Sequence, residues 1–168
     1  MDQPRKVLLI SGSLRRASTN TALLETARVV APRSLTLCSY SGIADLPHFN
    51  PDDDRPPRDL AVELLRDAIR SADAVLFSTP EYAGGLPGSF KNALDWEVGD
   101  DQIGSLNEKP VAWINGAPRG AADAHASLRR CLVTSVRGSS KKLASTFRWE
   151  MTRLVRTDWS IPLTFGAR

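Results

Sequence analysis

Histidine, cysteine and long apolar runs are scarce in this chain, and each scarcity argues against a class of function. The two histidines, His48 and His125, have no ligand-like neighbours in sequence, and the two cysteines, Cys38 and Cys131, stand far apart with no CxxC. Neither a metal site nor a disulfide framework is expected. No run of about 18 apolar residues occurs, and the opening "MDQPRKVLLISGS" turns into loop after a short apolar stretch. The expectation is a cytoplasmic chain without membrane contact. No GxSxG elbow is present and no histidine lies close in sequence to Ser78 or Ser89, so hydrolysis by an activated serine is poorly supported. No GK[ST] follows the first glycine and there is no GxGxxG, which sets aside the triphosphate-binding and dinucleotide fingerprints.

Basic charge is also scarce where a nucleic-acid face would need it. The net charge is +3, yet residues 1–132 carry 15 Lys/Arg and 17 Asp/Glu, giving −2, whereas residues 133–168 carry 7 and 2, giving +5. The body of the chain therefore does not support phosphate-backbone binding. At 168 residues, 42% hydrophobic and 24% charged, the composition suits one globular domain spanning residues 1–168.

What is present is an alternation of apolar runs and amphipathic stretches. "KVLLISGS" (Lys6 to Ser13), "SLTLCSY" (Ser34 to Tyr40), "DAVLFSTP" and "PVAWING" (Pro110 to Gly116) read as strands. "STNTALLETARVVAP" reads as a helix capped by Ser18, with Ala22, Leu23, Ala27 and Val30 on its apolar face and Pro32 as its stop. "RDLAVELLRDAIRSA" places Ala61, Leu64, Leu65, Ala68 and Ala72 on one face. A third helix begins near Pro87, with Phe90 and Leu94 inward, and "AADAHASLRRCLV" is the fourth. Phe90 and Trp96 are read as core or interface, His125 as solvated, and "LPHFNPDDDRPP" as an irregular, mobile connection. The alternation implies an α/β doubly wound parallel sheet in three layers, whose ligand sits beyond the carboxyl ends of the strands.

The loops at those ends carry the chemistry. "SGSLRRASTN" gathers hydroxyls, an amide and guanidinium groups just before the first helix, a donor set that suits a phosphate monoester. "STPEYAGGLPG" frees backbone N–H groups through its glycines beside one aromatic, Tyr82, which suits the edge and face of a planar ring. Glu81 is read as a solvated or capping residue sooner than a base. A phosphate site and a ring site on neighbouring strands describe a mononucleotide.

Those two stretches, followed by "KPVAWINGAPRG" and "ADAHASLRRCL" in that order and with "ADLPHFNPDDD" between, resemble the NADPH-dependent FMN reductase family of flavodoxin-like proteins over about residues 5–132. The resemblance implies a flavodoxin-like sheet of strand order 2-1-3-4-5. It implies that Ser11, Ser13, Arg15, Ser18 and Asn20 hold the FMN phosphate. Pro80, Glu81, Tyr82, Ala83 and Gly84 would frame the ring largely through backbone, and the turn from Ala117 to Gly120 would close its other side. It further implies NADPH or NADH as donor, and a small acceptor such as a quinone, azo compound, free flavin or metal oxyanion. No catalytic side chain is required, and a homodimer or homotetramer is implied. Two positions depart from the family pattern: Ala83 stands where Asn is usual, and Ala121 where a second glycine is frequent. Loss of one neutral hydrogen bond at Ala83 is expected to cost about 0.5–1.5 kcal/mol.

A flavodoxin-type electron carrier or inactive FMN-binding module is the rival reading, but carriers of this fold have a strongly acidic face and two aromatics around the ring. Here the body is only −2 and Tyr82 is the sole aromatic in those loops. Beyond Thr134 the resemblance stops, and residues 134–168 form an atypical tail in which "LASTFRW" offers a fifth strand by alternation. A shifted reading frame accounts for this change. With suitable synonymous codons, Ser139 to Ser160 read one nucleotide earlier become "IVEEACIDIPVGDDAVGPDGLV", which resembles a family C-terminus. The structural expectation is that residues beyond about 136 depart from a fifth βα unit and leave the sheet underburied there.

Overall fold

Uninterrupted apolar sequence makes the first strand, β1 (Arg5–Ser11), and its side chains divide between two faces: Val7 and Leu9 point one way, Leu8 and Ile10 the other. The computed structural model describes residues 3–117, 120–135 and 165–167. In β3 (Ala74–Ser78) and β4 (Val111–Ile114), Leu76, Ala112 and Ile114 join the face of Val7, while Val75, Phe77, Val111 and Trp113 join the face of Leu8. Strands that are apolar on both sides need cover on both, and this produces three layers. The order β2 (Leu35–Tyr40), β1, β3, β4 is parallel throughout, with Val7 opposite Leu37 and Leu9 opposite Leu76.

At the far edge a three-residue β5 (Phe165–Ala167) runs antiparallel beside β4. This differs from the all-parallel expectation. Antiparallel ladder bonds run straight between strands, so a short segment with two small residues can pair through backbone alone. The strand expected within "LASTFRW" and the underburied sheet expected beyond about residue 136 fall outside the described residues.

α1 (Thr19–Val29) starts where Ser18 Oγ accepts the Thr21 N–H at 3.3 Å. Its buried stripe is Asn20, Leu23, Leu24 and Ala27, so Ala22 and Val30, expected inside, lie exposed: the helix turns both leucines inward. α2 (Leu60–Arg70) is capped by Asp59, whose Oδ1 accepts from Ala61 N at 2.8 Å. It buries Val62, Leu65, Arg66 and Ile69, and Leu64 is 53% exposed, which corrects the expected stripe. Val62, Leu65 and Ile69 at i, i+3 and i+7 offer more apolar area than a stripe made mostly of alanine. α3 (Gly88–Trp96) follows Pro87 as expected, and α4 (Ala122–Ser135) follows β4. α1 lies on the Val7 face, whereas α2, α3 and Leu128 and Leu132 of α4 pack on the Leu8 face.

The connection expected to be mobile is fastened: a short 3-10 turn, Gly42–Asp45, leads into it and another, Pro51–Asp53, lies within it. Asn92 donates to the Pro47 carbonyl at 2.8 Å and accepts from Phe49 N at 2.7 Å. Trp96 Nε1 donates to the same carbonyl at 2.9 Å, and Phe49 meets its ring edge-on at 5.1 Å. Asp54 receives the fork of buried Arg66 at 2.8 and 3.0 Å. Trp96, 1% exposed, is therefore core, and with Asn92 it also pins this loop.

Candidate active site

The loops after β1, β3 and β4 open together at the carboxyl edge of the sheet. Between them lies a cavity of about 630 Å³ lined by Ser13, Arg15, Ser18, Thr19, Asn20, Pro80, Glu81, Tyr82, Gly116, Ala117 and Ala121. Gly12 lets the first loop leave β1: its N–H donates to the Ser78 carbonyl at 2.8 Å, and a Cβ there would stand 2.9 Å from the Phe90 ring.

One end of the cavity is the N-terminus of α1, which carries no acidic residue in its first turn. Its unpaired N–H groups and positive dipole end face the same space as the Ser13, Ser18 and Thr19 hydroxyls and Arg15. Asn20 Oδ1 accepts from Ser78 Oγ at 2.9 Å, which leaves its Nδ2 as a donor. Ser11 does not line the cavity. Its Oγ accepts from Ser13 N at 3.3 Å and from Thr21 Oγ1 at 2.9 Å, so it builds the loop that presents the others.

The other end is bounded by two loops shaped through their backbones. Tyr82 and Gly85 exchange N–H···O bonds of 3.0 Å around Ala83 (φ 50°) and Gly84 (φ 70°), a two-residue turn with both central residues left-handed. Ala83 and Gly84 form its tip outside the cavity wall, whereas Tyr82, 48% exposed, stands on the wall. Opposite, Asn115 Oδ1 accepts from Ala117 N at 2.9 Å and its Nδ2 donates to the Gly120 carbonyl, closing the β4 loop on itself. Gly120 (φ 91°) lies outside the wall, and Ala121 (φ 48°) is on it. Glu81 Oε2 accepts two backbone N–H groups, from Asp123 at 2.9 Å and Ala124 at 3.0 Å. Glu81 is thus the capping residue of its two sequence readings.

His125 is half-buried, which corrects the expectation of a solvated side chain: it sits in the first turns of α4, and its Nε2 is buried without a hydrogen-bond partner among the described residues. Burial pushes its imidazole below the usual range, with the Glu81 charge acting the other way.

Sequence reasoning missed Asn115, Ser78 and Gly116, while Thr19, one of the hydroxyls of the first loop, lines the cavity. Asn before Gly at a strand end is a turn signal that could have found Asn115. The Ser78–Asn20 bond spans 58 residues and has no local signal. Chemically, this cavity can take a dianion at the α1 end and a flat ring between the β3 and β4 loops. Among the described residues no group of three or more His, Cys, Asp or Glu could hold a metal ion, and no helix is long and apolar enough to cross a membrane.

Comparison with known proteins agrees with this geometry. The family model described as NADPH-dependent FMN reductase matches residues 5–142. An NAD(P)H-dependent FMN reductase of Pseudomonas aeruginosa is 38% identical over 135 residues, covering 79% of this chain and 72% of that protein. A probable NADPH:quinone oxidoreductase of Oryza sativa subsp. japonica is 43% identical over 97 residues, covering 54% of this chain, and the match spans only 46% of the rice protein. Among solved structures, the flavoenzyme NAD(P)H:(acceptor) oxidoreductase FerB of Paracoccus denitrificans superposes with a TM-score of 0.71 at 30% identity, covering 89% of this chain and 93% of that one.

Proposed function

The chain belongs to the NADPH-dependent FMN reductase family, and from that premise we propose that it is an NAD(P)H-dependent oxidoreductase passing electrons through FMN to a small acceptor. The observation that carries this reading is the cavity, with phosphate-type donors at one end and a flat, backbone-lined slot at the other. Its volume lies in the range usual for cofactor sites.

Ser13, Ser18, Thr19, Asn20 and Arg15 would bind the phosphate at the α1 N-terminus. Ser78 occupies the Asn20 carbonyl oxygen, which leaves Nδ2 to donate. Pro80, Glu81 and Tyr82 on one side and Gly116, Ala117 and Ala121 on the other would hold the ring and keep bulk water from its edge. FMN, when bound, supplies the redox chemistry, accepting hydride from a nicotinamide and then releasing electrons to the acceptor. The protein's share is binding and orientation. Quinones, azo compounds, free flavins and metal oxyanions are the acceptor class. A homodimer or homotetramer in the cytoplasm completes the reading, with sedimentation of the purified chain testing assembly.

Mixing the purified chain with FMN, then NADPH or NADH under nitrogen, tests the reading: the flavin absorption bleaches, and a quinone restores it. Bound flavin that neither nicotinamide bleaches would favour the carrier or inactive FMN-binding module instead. The small acidic excess of the body and the single aromatic, Tyr82, favour the enzyme over that carrier.

The tail enters the same reading. The family match stops at residue 142, just inside the stretch from Ser139 to Ser160 that a one-nucleotide shift turns into family-like sequence. The coding DNA is the test: another frame without an open, family-like continuation removes the shift.

A further inference from the structure

We infer that Glu81 is a positioning residue that sets the separation of the two loops facing each other across the cavity. This rests on the flavin reading for its functional meaning and on geometry for its existence. Glu81 leaves the β3 loop on one wall, and a single oxygen, Oε2, takes the N–H groups of Asp123 and Ala124 at the start of α4, at 2.9 and 3.0 Å. The β4 loop, with Gly116, Ala117 and Ala121 on the opposite wall, leads directly into that helix.

No other side-chain hydrogen bond among the described residues joins the β3 loop to the β4 loop or the start of α4. The Asn115 bonds close the β4 loop on itself, and the Tyr82–Gly85 pair closes the β3 turn on itself. Both loops hold an alanine in left-handed backbone, Ala83 and Ala121, so each has a reason to relax if released. The Glu81 carboxylate also meets the positive end of the α4 dipole and two of its orphan N–H groups. An oxygen engaged twice by backbone is poorly placed to shuttle protons. Its role is to hold the slot at one width.

Because one oxygen accepts both bonds, glutamine can reproduce them without charge, alanine cannot, and aspartate is one carbon too short to reach. Binding of FMN to the full-length chain, followed by flavin fluorescence, is measured for wild type, Glu81→Ala, Glu81→Asp and Glu81→Gln. Alanine and aspartate are expected to weaken FMN by about tenfold, the worth of one good hydrogen bond or slightly more, while glutamine stays within about threefold of wild type. KM for the nicotinamide rises in the alanine variant and returns with glutamine. Unchanged FMN affinity in Glu81→Ala overturns the inference, and so does a glutamine variant as weak as alanine, since charge would then be the agent. Amide hydrogen exchange at Asp123 and Ala124 reads the clamp without flavin. It speeds up in the alanine variant and not in the glutamine variant, and equal rates in all three overturn the inference whether or not FMN binds. A wild-type chain that ignores FMN while showing this exchange pattern would instead refute the flavin reading and leave the clamp standing.

Discussion

Two polar regions of this molecule differ in what their polarity is for. At the cavity, Ser13, Arg15 and Ser18 on the β1 loop and Asn20 in the first turn of α1 line one space and keep donors unspent. At the far end of α3, Glu97 is 2% exposed, and both its carboxylate oxygens lack a hydrogen-bond partner among the described residues. Around it lie Asp100, 3.0 Å from Arg70, and Asp54, held by the Arg66 fork. Burial first, and then Asp100, push the Glu97 carboxyl up to about 8, with Arg66 and Arg70 opposing. A displaced carboxyl in a charged cluster is a common mark of an active site, yet Glu97 does not line the cavity. Nine helical residues, roughly 13 Å of rise, separate it from the loop that does. Where a bound cofactor carries the chemistry, the site needs donors in place and not a titrating side chain.

The largest expected effect separates the two regions by pH. Glu97 ionises near its usual 4.5 in the unfolded chain and near 8 in the folded one, so between those values the unfolded state has lost a proton the folded state keeps. Stability therefore falls as pH rises through that window and levels off above it. At about 1.4 kcal/mol per unit, the loss is on the order of 5 kcal/mol. Glu97→Gln removes it: urea unfolding of the variant is expected to match wild type near pH 4.5 and to exceed it by several kcal/mol at pH 9, with FMN affinity unchanged. Parallel stability profiles would show that Glu97 is ionised in the folded protein. A shift in FMN affinity would break the comparison itself.

The same contrast explains what was legible. Apolar runs marked β1 to β4, and Ser18 and Pro87 marked two helix starts, because these signals are local and the physics that uses them is local too. The phosphate-type loop was legible for the same reason: its donors are consecutive. Glu97 was not, since a charged residue just past a helix ordinarily meets water, and the groups around it, Asp54, Arg66, Arg70 and Asp100, are brought there from other parts of the chain. Nor were the Glu81 bonds to α4, which span 42 and 43 residues. The α2 stripe went wrong at Leu64, which faces solvent: Leu65 and Ala72 are buried and Ala61 and Ala68 pack against the core, but the count of apolar positions left out Val62 and Ile69, whose larger area is buried beside them.

At the cavity the sharper test is Arg15. Arg15→Ala is expected to weaken FMN by about 1.5–3 kcal/mol, the worth of a charge-assisted bond, which is roughly 10- to 150-fold in the dissociation constant. Riboflavin, which lacks the phosphate, should bind both proteins alike, and thermal stability should not move because the side chain is exposed. Isothermal titration with the two flavins checks this. Equal loss for riboflavin would place Arg15 on the ring instead.

The smallest effect lies within the cavity's own walls. Ala83 and Ala121 are the described residues other than glycine with positive φ, at 50° and 48°, and they are also the two positions that the sequence reading expects to depart from the family pattern. A left-handed L-residue costs about 1–2 kcal/mol, and glycine removes that strain while adding about 0.4–1 kcal/mol of unfolded-state entropy. Ala83→Gly and Ala121→Gly should therefore each stabilise the chain by about 0.5–1 kcal/mol. The two changes should add, because the residues stand on different loops, and heat denaturation of the single and double variants measures both sums. Ala83→Asn is expected to recover most of the same gain, because asparagine tolerates this backbone region, and to leave the turn closed by the Tyr82–Gly85 pair. Destabilisation by either glycine would mean that the alanine methyl packs usefully where it sits. For Ala83, at the exposed tip of its turn, the structure offers little for it to pack against, so that variant is the cleaner measure of strain.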